Sequence, residues 1–399
     1  MAWRYEELKG LLAEETLPAV IVDMDLLDQN IARMVEIASS HGKTLRLATK
    51  SVRVPKLIHY ILEKGGRFFR GLMCYSAQEA LALMKEGLDD FLVAYPSVAE
   101  IDFVALRTCM EAGRRVCLMI DEPEHLALIE KFWKGQTPLP VCIDVDMSYR
   151  PFFGLHLGVK RSPIRTLPQF GALVDAVKHN PKVRLSGVMG YEAQIAGLTD
   201  KSPFTWALNP LICLMKWLSR KDVAKRREEI AMWLQARDLP LDFFNGGGTG
   251  SLSSTSRERH ITEVTAGSGF LQSHLFDYYV ENRNAPAFVY ALAVTRIPEP
   301  GFVTCQSGGF LGSGAVGRDK APIVFLPEGI KPTATEGFGE VQTPFTEAHN
   351  VHLKLGDPVF LRPAKAGEIA ERFTHYLLKR GNRIVDRVPT YRGIGGCFF

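Results

Sequence analysis

Lys50 closes the apolar run Leu45-Arg46-Leu47-Ala48-Thr49. A lysine at the end of a strand is well sited to be desolvated, which lowers its pKa and leaves a free amine able to form an imine. Two glycine-rich stretches lie later in the chain, Asn245-Gly246-Gly247-Gly248-Thr249-Gly250-Ser251 and Thr265-Ala266-Gly267-Ser268-Gly269. Runs of glycine let backbone N–H groups converge on one anion, although a tight turn alone also explains them. Neither stretch is a GxxxxGK[ST] loop, so nucleotide hydrolysis is not indicated. An imine-forming lysine together with a pair of anion cups points to a phosphate-anchored aldehyde cofactor, pyridoxal phosphate.

These groups need a scaffold that brings positions 50, 245–251 and 265–269 together. From about residue 19 to 270, short β-rich runs alternate with amphipathic stretches. The runs fall at 19–22, 45–48, 68–73, 91–94, 116–120, 141–145, 185–189 and 241–244, and helical patterns such as 26–39, 55–64, 77–86 and 170–179 lie between them. Strands separated by helices pair in parallel, and eight such units predict an α/β fold, a (β/α)8 barrel over 19–274; a doubly wound open sheet is the alternative. Active groups of a barrel collect at the C-terminal ends of its strands, where Lys50 and the glycine stretches would lie. After about residue 275, Gly and Pro punctuate short β runs, which predicts a β-rich domain over 275–399, with residues 1–18 packing on it. The charged stretch Ser219 to Trp233 reads as a solvated helix outside the barrel.

With 399 residues, 46% of them hydrophobic and 23% charged, the chain is too long for one small module and too apolar for disorder. Forty-eight Lys and Arg against 44 Asp and Glu leave +4, too little and too evenly spread for a nucleic-acid footprint. The first residues lack the apolar core of a signal peptide, and no stretch approaches the ~18 apolar residues of a membrane span, so a cytoplasmic protein without membrane partners is expected. Cysteines 74, 109, 117, 142, 213, 305 and 397 include no CxxC pair and are expected to be reduced thiols, neither disulfides nor zinc ligands.

The opening Leu17-Pro18-Ala19-Val20-Ile21-Val22-Asp23-Met24-Asp25, followed by Arg46-Leu47-Ala48-Thr49-Lys50-Ser51, resembles the start of fold-type III pyridoxal-phosphate enzymes, in particular the D-threonine aldolase and D-serine dehydratase group. Tyr191-Glu192-Ala193-Gln194, Asn245 to Gly250 and Pro389-Thr390-Tyr391-Arg392-Gly393 resemble a bacterial subfamily called amino acid deaminase/aldolase. The resemblance spans nearly the whole chain. It implies an alanine-racemase-like barrel, a C-terminal β domain, and a homodimer whose active site lies between one subunit's barrel and the other's β domain. Lys50 matches the Schiff-base lysine. Gly247, Gly248, Thr249, Gly267 and Ser268 match the phosphate cup, Tyr191 an aromatic residue lining the cofactor, and Gln194 a group reaching the ring or substrate. Where many relatives have Arg-x-Gly-Val at the cofactor's phenolic oxygen, this chain has His156-Leu157-Gly158-Val159, so the role passes to His156, with a histidine at a helix start as the alternative.

Metal-dependent members carry His-x-Cys or His-x-Asp after a Gly-Asp-x-Val strand. Here Gly356-Asp357-Pro358-Val359 leads to Pro363-Ala364-Lys365-Ala366-Gly367-Glu368, which has neither ligand, and His349 and His352 do not converge on a β-rich loop. No metal is expected. The reading is therefore a lyase acting on a D- or α-substituted β-hydroxy amino acid by aldol cleavage or β-elimination, with Lys365 and Glu368 as replacement cation and base. An amino-acid racemase, with Tyr391 as second base, and a non-catalytic pyridoxal-phosphate carrier are the alternatives.

Overall fold

The computed structural model describes residues 3–152 and 154–398, so positions 1, 2, 153 and 399 of the expected domains lie outside the described residues. The first strand, β1 (Ala19–Asp23), stands apart from the eight that follow. β2 (Thr44–Ala48), β3 (Phe69–Cys74), β4 (Phe91–Val93), β5 (Val116–Ile120), β6 (Leu139–Asp144), β7 (Val183–Met189), β8 (Phe243–Gly246) and β9 (Glu263–Ala266) form a closed parallel barrel in chain order. An open doubly wound sheet is thereby excluded.

Two of the expected strand assignments need correction. The run at 19–22 was counted as a barrel strand, and β9, which closes the barrel against β2, was not anticipated. The reason is chemical. β1 is buried along its whole length, so it has the apolar pattern of a barrel strand. β9 carries Glu263 into the barrel, where Arg46 Nε meets it at 2.8 Å and Asn245 donates to it at 2.8 Å. A strand whose inward residue is an ion-paired glutamate does not read as apolar.

The second sheet has nine strands, β1 together with β10 (Phe288–Arg296), β11 (Phe302–Gln306), β12 (Ile323–Leu326), β13 (Lys331–Pro332), β14 (Gln342–Thr346), β15 (Pro358–Arg362), β16 (His375–Arg380) and β17 (Arg383–Pro389). β1 sits between β10, antiparallel, and β16, parallel. The N-terminal helix Tyr5–Leu11 packs on this sheet, with Tyr5 edge-on to Phe360 at 5.9 Å and Lys9 paired with Asp357 at 2.7 Å. Asp23 ends β1 and caps the next helix, Met24–Ser39, accepting from the N–H groups of Asp25 and Leu26. One aspartate thus turns the chain from the second sheet toward the barrel.

The barrel interior is filled by Leu92, Ala94, Cys117, Met119, Cys142, Met189 and Phe243. All seven cysteines are free thiols, with Cys213 and Cys397 exposed and the others buried. Among the described residues, no helix is long and apolar enough to cross a membrane.

Candidate active site

After β2 the chain turns through Thr49–Ser51, which places Lys50 at the C-terminal mouth of the barrel. Thr49 Oγ1 donates to the Met73 carbonyl at 2.9 Å, and Arg53 Nε donates to the Lys50 carbonyl at 3.1 Å while its Nη1 pairs with Glu371 at 2.7 Å. Gly367 lies against the same carbonyl, so closely that a Cβ added there would stand 1.7 Å from the oxygen. Lys50 itself is exposed, contrary to the expected desolvation, because nothing among the described residues closes over it. Its Nζ reaches Tyr95 Oη at 3.4 Å.

The contact at Gly367 brings the segment Pro363 to Glu368 against the Lys50 turn of its own chain. Lys365 and Glu368 do come together, 3.3 Å apart, over a common partner. Lys365 Nζ donates to Ser313 Oγ at 2.7 Å, and Ser313 donates to Glu368 from Oγ at 2.6 Å and from its backbone N–H at 2.8 Å. Burial pushes the Glu368 carboxyl up, but the two bonds from Ser313 and the Lys365 ammonium more than offset it and hold it below the usual range. His349 and His352 are exposed, and among the described residues no group of three or more His, Cys, Asp or Glu is arranged around a metal position.

Both glycine stretches leave the barrel at the mouth, after β8 and β9. Gly247 takes φ +89°, which favours glycine. Cβ atoms added at Gly248 and Gly267 would stand 3.0 Å from Ala196 Cβ and 2.8 Å from the Ala48 carbonyl, so the cradle depends on bare backbone. Not every expected donor faces outward. The Gly247 N–H is spent on Glu192 at 3.1 Å and the Gly248 N–H on Ser251 Oγ at 3.1 Å. Among the described residues the N–H groups of Thr249 and Gly267 have no partner in the chain, while Thr249 Oγ1 accepts from Gly269 N–H and Ser268 Oγ lies 3.1 Å from Ser51 Oγ. Lys50, the bare turns and these unpartnered donors fit a phosphate-bearing aldehyde. Thr249, Gly267 and Ser268 would hold its phosphate, and Tyr191, whose Cε2 lies 3.3 Å from the Cβ position of Gly248, would line it.

Behind the cup stands Glu192, fully buried, a residue that sequence reasoning passed over. Its carboxylate accepts from Gly247 N–H, Ser251 Oγ at 2.7 Å, Thr255 Oγ1 and Arg227 Nη2. Burial alone would raise this carboxyl; Arg227 and the three other donors reverse the shift and hold it below its usual range. Arg227 comes from the helix Asn209–Gln235, whose charged part was expected to be merely solvated. The correction follows from spacing: Ser219, Val223, Arg227, Ile230 and Leu234 recur every three to four residues and form the buried face. From that face Ser219 accepts from Gln194 Nε2 at 2.8 Å. Gln194 Nε2 also donates to the Met147 carbonyl at 2.6 Å, so its donors are committed, and only Oε1 is left unpartnered. Glu192→Gln should weaken cofactor binding by about tenfold or more, because the amide turns N–H toward N–H and unseats the Gly247–Ser251 turn. Fluorescence titration with cofactor checks this; unchanged affinity in a folded variant would contradict it.

His156 Nε2 lies 3.2 Å from the Val159 carbonyl, and Arg161, five residues on, lies by Tyr95. The Arg161 guanidinium sits 6.0 Å from the Tyr95 ring centroid, and its charge acts on Tyr191 and Asp144. Asp144 ends β6. Inward residues alternate along strands, so Cys142 is followed by Asp144, and Cys117 and Met119 by Asp121. That register was the available signal for both. Burial and then Asp121 push the Asp144 carboxyl up to about 7. Tyr391, the candidate second base, is buried in its own chain and donates to Glu79 at 2.8 Å.

Residues 22–232 match the family described as alanine racemase, N-terminal domain. A 3-hydroxy-D-aspartate aldolase of Paracoccus denitrificans is 25% identical over 260 residues, 64% of this chain, and the chain spans about 60% of that relative's length. Among solved structures, D-threonine aldolase from Filomicrobium marinum superposes with TM-score 0.79 at 18% identity, covering 96% of this chain and 97% of that one. D-threo-3-hydroxyaspartate dehydratase from Delftia sp. HT23 gives 0.71 at 19%, covering 95% and 98%. At these identities the two structures show a common fold, and the family match, which takes in Lys50, Tyr191 and Arg227, goes further: the chain belongs to the alanine racemase N-terminal domain family, the fold-type III pyridoxal-phosphate enzymes.

Proposed function

We propose that the chain is a pyridoxal-phosphate-dependent lyase acting on a D-configured β-hydroxy amino acid, by aldol cleavage or by dehydration, with Lys50 as the amine that carries the cofactor. The observation that carries this reading is Lys50 Nζ at the barrel mouth, 3.4 Å from Tyr95 Oη, at the same end as the bare turns of Gly247–Thr249 and Gly267–Ser268. The names of the aldolase and dehydratase relatives support it. Bound pyridoxal phosphate supplies an electron sink for the substrate's Cα. The chain supplies the rest. Thr249, Gly267 and Ser268 anchor the phosphate, and Lys50 Nζ moves the proton at Cα with Tyr95 Oη beside it. In this reading the Lys365, Ser313 and Glu368 group, held against the Lys50 turn through Gly367, supplies the ammonium and hydroxyl that handle the substrate's β-oxygen.

In this reading the Lys365 ammonium does the work of a divalent cation. Activity should therefore survive prolonged EDTA treatment and gain nothing from manganese or zinc. Lys365→Met should lower kcat by about tenfold or more while moving cofactor affinity by less than about twofold. Activity lost on chelation and restored by a divalent cation would overturn the substitution of lysine for metal. The proposal extends to a cytoplasmic homodimer. Exposed Trp206, Leu211, Leu214 and Trp217, at and along the start of the helix Asn209–Gln235, form an apolar surface of the kind that subunits cover.

A further inference from the structure

Beside the Lys50 mouth lies a cleft of about 860 Å³ whose lining includes Arg150, His156, Lys160, Arg161 and Ser162, and no acidic residue. Its charge is only partly balanced. Asp146, buried beneath it, pairs with Arg150 at 2.7 Å and also takes Arg165 at 3.4 Å, so one carboxylate serves two guanidinium groups. Arg226 Nη2 donates to the Asp146 carbonyl rather than to its carboxylate, while its Nη1 pairs with Asp222 at 3.9 Å, so its own charge is met away from the cleft. Among the described residues no carboxylate lies within ion-pair distance of Lys160 or Arg161. Asp144, on whose carboxyl the charge of Arg161 acts, is pushed up to about 7 chiefly by burial, so it answers that charge only in part near neutrality. The cleft is joined to the reacting end of the site through Arg161, 6.0 Å from the Tyr95 ring, and Tyr95 Oη, 3.4 Å from Lys50 Nζ.

We infer that this cleft is the side-chain subsite of the enzyme, and that it selects β-hydroxy amino acids whose side chain ends in a carboxylate. The inference rests on the lyase reading for its choice of substrate. Its physical basis is separate. A guanidinium and an ammonium without a carboxylate partner gain most from an anion that brings two acceptor oxygens, and a neutral methyl or hydrogen in the same place leaves both charges unanswered. The anionic side chain would lie across Tyr95 from the Lys50 amine, with Arg161 as its first partner and Lys160 as its second. Arg150, already committed to Asp146, contributes field rather than contact.

The test compares the holoenzyme with the Arg161→Gln/Lys160→Gln double variant on 3-hydroxy-D-aspartate and on D-threonine. The wild type should favour the dicarboxylic substrate by about tenfold or more in kcat/KM, and the double variant should lose most of that ratio through KM. The α-carboxylate is common to both substrates, so a cleft that served it alone would slow both and leave the ratio unchanged, which would overturn the inference. A fall in cofactor affinity equal to the loss of activity would overturn it as well, by assigning the charges to the phosphate. A second measurement stands apart from turnover: calorimetry of the holoenzyme with succinate and with butyrate, neither of which has an amine to react. Succinate should bind about tenfold more tightly than butyrate in the wild type and no more tightly in the double variant. If succinate shows that pattern while no β-hydroxy amino acid turns over, the cleft stands and the lyase reading falls. If threonine turns over as well as hydroxyaspartate and succinate shows no advantage, the cleft falls and the lyase reading stands.

Discussion

Lys50→Ala should lower turnover by about 10³-fold or more and remove the aldimine absorption band of the purified protein, since in the proposed reading it removes both the amine that carries the cofactor and the base at Cα. The protein should still fold. Lys50 is exposed, its side chain bonds to Tyr95, and the turn around it is held by contacts to its backbone, from the Arg53 side chain and from Gly367, that the substitution leaves in place. The proposed phosphate cup does not include the lysine, so the variant should keep measurable, reversible cofactor binding. Thermal unfolding near that of the wild type, with cofactor removable by dialysis, is the expected pattern. Retained turnover would mean that a different amine does the chemistry.

Gly367→Ala should be nearly as damaging, although residue 367 lies in the second domain and carries no functional group. Its backbone, φ −80° and ψ −35°, suits alanine well, so the cost is purely one of space. The new methyl would stand 1.7 Å from the Lys50 carbonyl oxygen and 2.9 Å from Ser51 Cα, and backbone on one side or the other must move. A displacement near 1 Å at a reacting group costs about 10²-fold in rate, and kcat should fall by about that much. Gly10→Ala is the control, because a Cβ there meets nothing within 4 Å and the position is helical. If Gly367→Ala and Gly10→Ala both leave kcat unchanged, the second domain does not set the position of Lys50.

The barrel was legible in the chain because period-2 apolar runs alternate with period-3.6 stretches, and Lys50 was legible because it follows such a run directly. β1 and β9 escape the sequence for two reasons: an apolar run does not say which sheet buries it, and a buried ion pair such as Arg46 with Glu263 hides a strand that lies inside. Asp121 and Asp144 were within reach, since continuing the inward alternation by one step from Met119 and Cys142 arrives at both. Glu192 stands within a motif that gives it no role, and its place as the hub beneath the Gly247–Ser251 turn depends on Arg227 arriving from a helix 35 residues later in sequence. Ser313 and Gly367 could not be found from sequence, because their importance lies in contacts between distant segments, Ser313 with Glu368 and Gly367 with Lys50.

The central claim is that Lys50 carries the cofactor, and borohydride reduction of the holoenzyme followed by peptide mapping tests it most directly. Reduction fixes the cofactor to whichever amine holds it, independently of any assumption about substrate, metal or subunit arrangement. The account predicts a stable pyridoxyl label on the peptide containing Lys50 and no label in Lys50→Ala. Label on Lys43, Lys56 or Lys365 in the wild type would contradict it.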